Sequence, residues 1–451
     1  VVVGRDGRRM SAEFVDDVAA VLAAEGIPAH VFKGVAATPL TAFGCLKLKA
    51  AAAVMVTASH NPPEYNGYKV YWGNGAQIVP PHDSGIAASI DTVEAANRVP
   101  RLEEAAARAK GLWVDVPTSV ERAYLDAILA LRPTKKTADL SIVYTAMHGV
   151  GGALVTQVLK EAGFAHVSVV KEQFEPDGAF PTVRFPNPEE KGAMDLSTAL
   201  ATRVNADIVL ANDPDADRLA VMARDESGAL RMLTGNEVGV LFGHFLLTQT
   251  QTSNPLVVTT IVSSAQLKAI AQALGARYGE TLTGFKWIAN LAIEELKNGV
   301  NFVVGYEEAL GFCVGSVVAD KDGITAAVVL AEAVATQARA GRTVTVLEAR
   351  NRIGGRAFTD TASLDGIPFD RGAHWLHAAS QNPFTAIADR LGLRYKSDID
   401  WSHRTFFTGN GQQAGRQTLA AAGHSLMTFL DACVAAGEAG QDVAFSDFMQ
   451  R

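Results

Sequence analysis

Short apolar runs alternate with amphipathic stretches through the first two-thirds of the chain. Val1-Val2-Val3 reads as a buried strand, followed by the turn Gly4-Arg5-Asp6-Gly7-Arg8. A helix comes next: Ser11 is placed to cap it, Phe14, Val15, Val18, Val21 and Leu22 fall on one face, and Gly26 stops it. A strand at Ala29–Phe32 and an apolar run at Ala53–Val56 follow. The pattern returns with Ser141–Tyr144, the glycine turn Met147–Gly152, a helix to Gly163 and the strand Val167–Val170. It returns again with Leu256–Thr259, a helix stopped by Gly275, and the strand Asn301–Val304. Strand, loop, helix and strand at this spacing predict right-handed βαβ units, mostly parallel sheets and an α/β fold. Such sheets bind ligands beyond the carboxyl ends of their strands. The polar clusters fall there: Ser59 after Val56, Asp213 after Ile208–Ala211, and Glu307 after Val304. The pattern breaks near Gln337.

At 451 residues the chain predicts two to four domains. Apolar residues make up 48% and charged residues 20%, a globular composition. A formal charge of −8 argues against nucleic acid as a partner, yet leaves room for a phosphorylated small molecule met by a local cluster of cations. Cys45, Cys313 and Cys433 are far apart and form neither a metal spacing nor a disulfide framework, so a reducing cytoplasm is expected. No apolar run reaches bilayer-spanning length and no charged-then-apolar leader precedes Val1, so no membrane partner is expected. The chain opens in a strand without Met, which reads as a fragment edge. Oligomeric state is not legible.

Candidate chemistry sits in three places. Thr57-Ala58-Ser59-His60-Asn61-Pro62 follows the buried run, and Pro62 and Pro63 block a helix, so the Ser59 hydroxyl stands on a loop held by a rigid scaffold. Four residues of this kind alone describe an ordinary turn. Tyr65-Asn66-Gly67-Tyr68-Lys69 follows and lengthens the string. In Asp213-Pro214-Asp215-Ala216-Asp217-Arg218, alternate side chains of an extended loop point the same way, so three carboxylates converge on a cation; an acidic surface turn is the competing reading. A calcium loop of EF-hand type would need Gly and Glu where Arg218 and Arg224 stand. All-oxygen ligands suit Mg²⁺. In Gly305-Tyr306-Glu307-Glu308-Ala309-Leu310-Gly311, acids at a strand end suit recognition of sugar hydroxyls, and an exposed acidic loop accounts for them equally. Lys286 in Thr283-Gly284-Phe285-Lys286-Trp287 reads as a snorkelling surface residue or a ligand contact. Arg5 and Arg8 read as solvated turn arginines or as residues that steer phosphate, and His148 as the closure of a glycine turn or a site residue.

T-A-S-H-N-P with Y-N-G-Y-K resembles the phosphoserine loop of the α-D-phosphohexomutases, the phosphoglucomutases and phosphomannomutases. D-P-D-A-D-R is similar to that family's metal loop and G-Y-E-E-A-L-G to its sugar loop. The resemblance spans residues 1–337 and implies three consecutive α/β domains with mostly parallel mixed sheets: 1–137 with the phosphoserine loop, 138–233 with the metal loop and 234–337 with the sugar loop. It implies a phosphoryl group carried on Ser59 and moved between C1 and C6 (or C5) of an aldose phosphate by way of a sugar bisphosphate. Mg²⁺ would sit on Asp213, Asp215, Asp217 and Ser59, with Arg218 facing the phosphoserine. Lys69 would do general acid–base work supported by His60, and Glu307, Lys286, Gly284 and Thr283 would meet the sugar. Ala309 stands where the family often has Ser, and E-E-A-L-G looks nearer the phosphoglucomutase-2 and phosphopentomutase branch, so glucose, mannose and a pentose all stay open. Two family parts are not found: an early arginine-bearing segment and a fourth domain with an S-G-T-type phosphate loop.

Beyond Gln337 the text resembles the flavin amine oxidases. Val344–Arg350, then Arg352-Ile353-Gly354-Gly355-Arg356, implies FAD contacts at Glu348, Arg350, Gly355 and Arg356. The glycines of the dinucleotide turn would fall near Thr325, Ala327 and Leu330, and none is Gly, which speaks against FAD. Residues 338–451 are therefore expected to be an incomplete FAD-binding-like α/β fragment, in a chimera joined within Ala326–Ala340. The leading expectation is a phosphosugar mutase. Its alternatives are an FAD-dependent amine oxidase fragment and a phosphosugar-binding remnant that does not turn over.

Overall fold

Three sheets follow one another along the chain, each with parallel strands at its centre. The computed structural model describes residues 1–93, 95–225, 227–339, 358–360 and 369–371. The first sheet holds β1 (Val2–Arg5), β2 (Ala29–Val31), β3 (Ala52–Val56), β4 (Tyr68–Trp72) and β5 (Trp113–Asp115) in the order β4-β3-β1-β2-β5. The second holds β6 (Ser141–Thr145), β7 (His166–Val169), β8 (Ile208–Ala211), β9 (Ala220–Arg224) and β10 (Leu230–Leu233) in the order β10-β9-β8-β6-β7. The third holds β11 (Pro255–Thr260), β12 (Arg277–Thr281), β13 (Asn301–Glu307) and β14 (Gly311–Val314) in the order β12-β11-β13-β14. In all three, a parallel strand turns back into an antiparallel neighbour: β3 into β4, β8 into β9, β13 into β14. Each candidate motif loop is the connection of one such hairpin.

The apolar runs are strands because both faces of the sheets are covered. Val2 and Val3 point to opposite faces, Val2 packing with Ala42, Cys45 and Met55 and Val3 with Val15, Ala19 and Trp113. The helix Ser11–Ala24 keeps Val15, Val18 and Leu22 of its expected stripe against the core but differs at its cap and at Phe14. Met10, in the left-handed region, is its N-cap residue, and Ser11 opens the helix with its hydroxyl on Asp6 Oδ1 at 2.9 Å. Its buried face is Ser11, Val15, Ala19 and Ala23, while Phe14 is 41% exposed. Three of the four buried residues are small, which a reading from the larger side chains alone did not predict.

The helix Gly323–Arg339 is apolar on nearly every side and is buried among helix Gly152–Glu161, helix Gly235–Gln249 and β14. Thr325, Ala327 and Leu330, the positions where a dinucleotide turn would have fallen, lie inside this helix. A second compact unit spans Ala357–Arg451, where the described residues pair Phe358–Asp360 antiparallel with Phe369–Arg371. Glu348, Arg350, Gly355 and Arg356 lie outside the described residues. Among the described residues no helix is long and apolar enough to cross a membrane.

Glu332 is a carboxylate set within the buried core of helix Gly323–Arg339. It accepts from Arg132 Nε at 2.6 Å and from Thr134 N, Thr134 Oγ1 and Lys135 N at 2.6, 2.6 and 2.9 Å. Arg132 also donates to the Ala162 carbonyl at 2.8 Å, so one ion pair ties the segment after helix Thr118–Leu131 to both later sheets' helices. Breaking a buried pair leaves an uncompensated charge, so Glu332→Ala is expected to cost about 3–5 kcal/mol. Urea unfolding followed by circular dichroism measures it; a midpoint equal to that of the parent chain contradicts this role.

Candidate active site

The Ser59 loop leaves β3 at Val56 and closes where Thr57 N donates to the Gly67 carbonyl at 2.9 Å. Thr57 Oγ1 donates to Asp6 Oδ2 at 2.7 Å and accepts from Ser59 N at 2.8 Å. Ser59 itself has φ 52°, a left-handed conformation that a non-glycine residue holds only when its surroundings fix it. The fixing group is Arg8. Its guanidinium donates to the carbonyls of Ser59 (2.7 Å), Asn61 (2.5 Å), Pro62 (2.8 Å) and Tyr65 (3.1 Å). The Arg8 side chain is wholly buried beside Asp6 at 3.4 Å. Arg8 is therefore not a solvated turn residue and does not face outward to steer phosphate.

This cradle aims Ser59 at the second sheet. Ser59 Oγ donates to Asp213 Oδ2 at 3.0 Å, across 154 residues of sequence. Asp213, Asp215 and Asp217 follow β8, are all fully buried, and bring carboxylate oxygens within 4.8 Å of one another. Ala216 takes φ 59° to make the loop bend. Gly149 lets the Met147–Gly152 turn lie against it, since a Cβ there would stand 2.5 Å from Pro214 Cα. His148 serves that turn and not the acid cluster: its ring meets Thr182 Oγ1 at 2.9 Å.

Three buried carboxylates repel unless cations intervene. Lys69, on β4, reaches Asp215 Oδ2 at 2.7 Å and Asp217 Oδ2 at 2.5 Å. Lys321 reaches Asp217 Oδ2 at 3.1 Å. Burial and the two neighbouring carboxylates push Asp213 well above the usual carboxylate range. Burial also pushes Asp215 and Asp217 upward, but Lys69 on the first, and Lys321 and Lys69 on the second, more than offset it and hold both low. Burial would lower Lys69, yet Asp215 and Asp217 raise it, so it is an ammonium at neutral pH. Asp215 Oδ1 and Asp217 Oδ1 are buried without a hydrogen-bond partner. Free oxygens on two of three converging carboxylates fit a divalent metal bound through oxygen.

The remaining residues gather around this centre. His60 Nδ1 lies 3.4 Å from Ser59 Oγ, and burial followed by the Arg218 charge lowers its pKa to about 4, so its ring is neutral at pH 7. Arg218 donates to the Ala309 carbonyl at 3.0 Å, which fastens the metal loop to the turn after Glu307. Glu307 ends β13 and accepts from Gly284 N at 2.7 Å. Burial raises its pKa, with Lys321 opposing. Glu308 turns instead to Ser263 Oγ at 2.9 Å and is spent on its own sheet. Gly284, at φ 117°, caps helix Phe285–Lys297, Thr283 before it is exposed, and Lys286 lies 3.9 Å from Asp83 and over the Trp287 ring.

Comparison with known proteins gives the same order of parts. The descriptions "Phosphoglucomutase/phosphomannomutase, alpha/beta/alpha domain" I, II and III match residues 1–97, 122–228 and 234–349. A probable phosphomannomutase of Haemophilus influenzae is 43% identical over 352 residues, covering 76% of this chain and 69% of that protein. The chain belongs to the phosphoglucomutase/phosphomannomutase family. Human phosphopentomutase is 40% identical over 335 residues, covering 71% of this chain and 54% of that protein. The chain thus spans little more than half the length of several relatives it matches. A solved putative phosphomannomutase of Thermus thermophilus superposes with a TM-score of 0.60 at 25% identity, over 75% of this chain and 71% of that one. The description "Flavin containing amine oxidoreductase" matches residues 323–439 and overlaps the third mutase domain over 323–349. That supports a composite chain. Within the overlap, residues 323–339 are the buried helix of the mutase unit.

Asp320 and Lys321 were not singled out as site residues along the sequence, and Arg8 was read without its role as the cradle of the Ser59 loop. The available signals were a charged pair at the end of β1 and the string Asp320-Lys321-Asp322, three charges between an apolar strand and an apolar helix. If Arg8 holds the Ser59 loop, Arg8→Ala removes four charge-assisted bonds, and amides 60–66 exchange with deuterium at least about tenfold faster. Unchanged exchange in that segment, measured by mass spectrometry, contradicts the cradle.

Proposed function

We propose that this chain carries a phosphosugar mutase centre in which Ser59 is the phosphoryl carrier. The observation that carries the reading is the delivery of one half-buried serine hydroxyl from the first sheet to a fully buried acid trio in the second, at 3.0 Å. In the forward half-reaction the phosphorus–Oγ bond of phospho-Ser59 breaks while a bond forms to the free hydroxyl oxygen of an aldose 1-phosphate. Lys69 enters as an ammonium, hands a proton to Ser59 Oγ as that bond breaks, and is restored by the proton of the attacking hydroxyl. The bisphosphate then turns over, and its other phosphoryl group returns to Ser59 by the reverse step. Neutral His60 supports the Ser59 oxygen.

Asp213, Asp215, Asp217 and the Ser59 oxygen would hold Mg²⁺, which supplies neutralisation of the phosphoryl oxygens when bound. Arg218 locks the metal loop to the sugar loop, and its remaining donors would steady the phosphoserine. Glu307 spends one oxygen on Gly284 N and would keep the other for sugar hydroxyls, which Thr283 and Lys286 would also meet. Relatives named as phosphomannomutase, phosphopentomutase and phosphoribomutase support phosphosugars of both hexose and pentose size.

Incubation of the chain with an aldose 1,6-bisphosphate and Mg²⁺ tests this. Peptide mapping is expected to place one phosphate on Ser59, with none in Ser59→Ala. No phosphate on Ser59 sinks the reading. Phosphate on Ser59 without isomerisation of aldose 1-phosphate in a coupled assay selects the remnant that does not turn over.

A further inference from the structure

Asp320 lies in the third sheet's domain, immediately before helix Gly323–Arg339, and is 1% exposed. Its Oδ2 accepts from the Tyr71 hydroxyl at 2.7 Å and from Gln77 Nε2 at 2.8 Å. Both donors come from the first domain, and Gln77 pairs with Tyr71 along the outer edge of β4. Its Oδ1 accepts from Lys321 N at 2.8 Å, and Lys321 Nζ stands 3.1 Å from Asp217. Residues two apart on a strand share a face. Tyr71 and Lys69 therefore point the same way from β4, one to Asp320 and the other to Asp215 and Asp217, while Tyr68 and Trp72 face outward at 59% and 41% exposure. The contacts close a ring through three domains: Lys69, Asp217, Lys321, Asp320, Tyr71 and back along β4.

We infer that Asp320 is a positioning residue for Lys69, acting through the Tyr71 hydroxyl, so that the third domain sets where the lysine of the first domain stands over the aspartates of the second. The strand that bears Lys69 needs such an anchor. Among the described residues, β4 is the edge strand of its sheet and β3 is the one strand it pairs with. Its other backbone pairing is with residues 76–78, which belong to the same hairpin. The Tyr71 hydroxyl is fully buried and donates to Asp320, a residue outside its own domain. The anchor also lies next to the sugar loop. Lys321 Nζ sits 5.8 Å over the Phe285 ring, and a Cβ on Gly311 would stand 2.5 Å from Lys321 Cδ, so the segment 320–321 is wedged between Phe285 and the turn after Glu307. A misplacement of about 1 Å at a proton-transfer group costs up to about 100-fold in rate, so the anchor is worth a large factor without touching substrate.

The inference rests on the proposed role of Lys69 for its kinetic consequence, but not for its geometry. Tyr71→Phe keeps the ring and removes only the hydroxyl; Asp320→Asn keeps the shape and removes the charge. Reductive methylation followed by peptide mapping reads Lys69 directly, with exposed Lys110 as the internal reference. Lys69 is expected to label at least about fivefold faster in both variants while Lys110 is unchanged, and phosphoryl transfer to Ser59 from an aldose 1,6-bisphosphate is expected to slow about 10- to 100-fold with KM within about twofold of the parent. If Asp320→Asn does not fold, Tyr71→Phe decides alone. Faster labelling with no transfer in the parent chain upholds the anchor and rejects the mutase reading. Unchanged Lys69 labelling in folded Tyr71→Phe overturns the inference, as does a rise in KM with kcat unaltered.

Discussion

Three carboxylates with no exposure to water, gathered within 4.8 Å, are the constraint on which the rest of the mutase unit depends. Burying a single charge is costly, and burying three of one sign together is prohibitive without cations. The second domain supplies the aspartates and Arg218, but the close ammonium groups come from elsewhere: Lys69 from the first domain and Lys321 from the third. The acid cluster therefore makes the domains need one another. The buried Arg132–Glu332 pair repeats the device away from the site, joining the end of the first domain to the last helix. Domain packing and active-site electrostatics are here the same problem, and the orphaned oxygens of Asp215 and Asp217 mark where the protein's own cations stop short of full compensation.

The three sheets solve placement alike. Each carries its motif on the turn between a buried parallel strand and an antiparallel neighbour, so the loop starts from rigid backbone and returns at once. The Ser59 turn adds a second layer, in which Arg8 ties four loop carbonyls to one guanidinium. Strain at Ser59 is sustained because that guanidinium is itself locked against Asp6.

Much of this was legible along the chain. The apolar runs marked the strands, because parallel strands covered on both faces are continuously hydrophobic. The Ser59 string and the alternating aspartates are local patterns, and their meeting followed from both standing at strand ends. What was not legible depends on distance. Arg8 reaches a carbonyl 51 residues away and Tyr71 an aspartate 249 residues away, and neither partner can be read from the residues beside it. On the first helix Val15, Val18 and Leu22 pack as expected, but Phe14 was counted as core on hydrophobicity and the small residues Ser11, Ala19 and Ala23 are buried instead. The flavin motif was readable as a string of residues, but its phosphate turn had no place, because the residues at that position already form the buried helix of the mutase unit.

The central proposal is that Asp213, Asp215 and Asp217 together receive a divalent cation. Mn²⁺ titration followed by electron paramagnetic resonance tests it most directly. One tightly held ion per chain is predicted, competed off by Mg²⁺ and lost in Asp215→Asn and Asp217→Asn variants that keep their fold. Absence of binding in the parent chain, or binding that survives both substitutions, would contradict it.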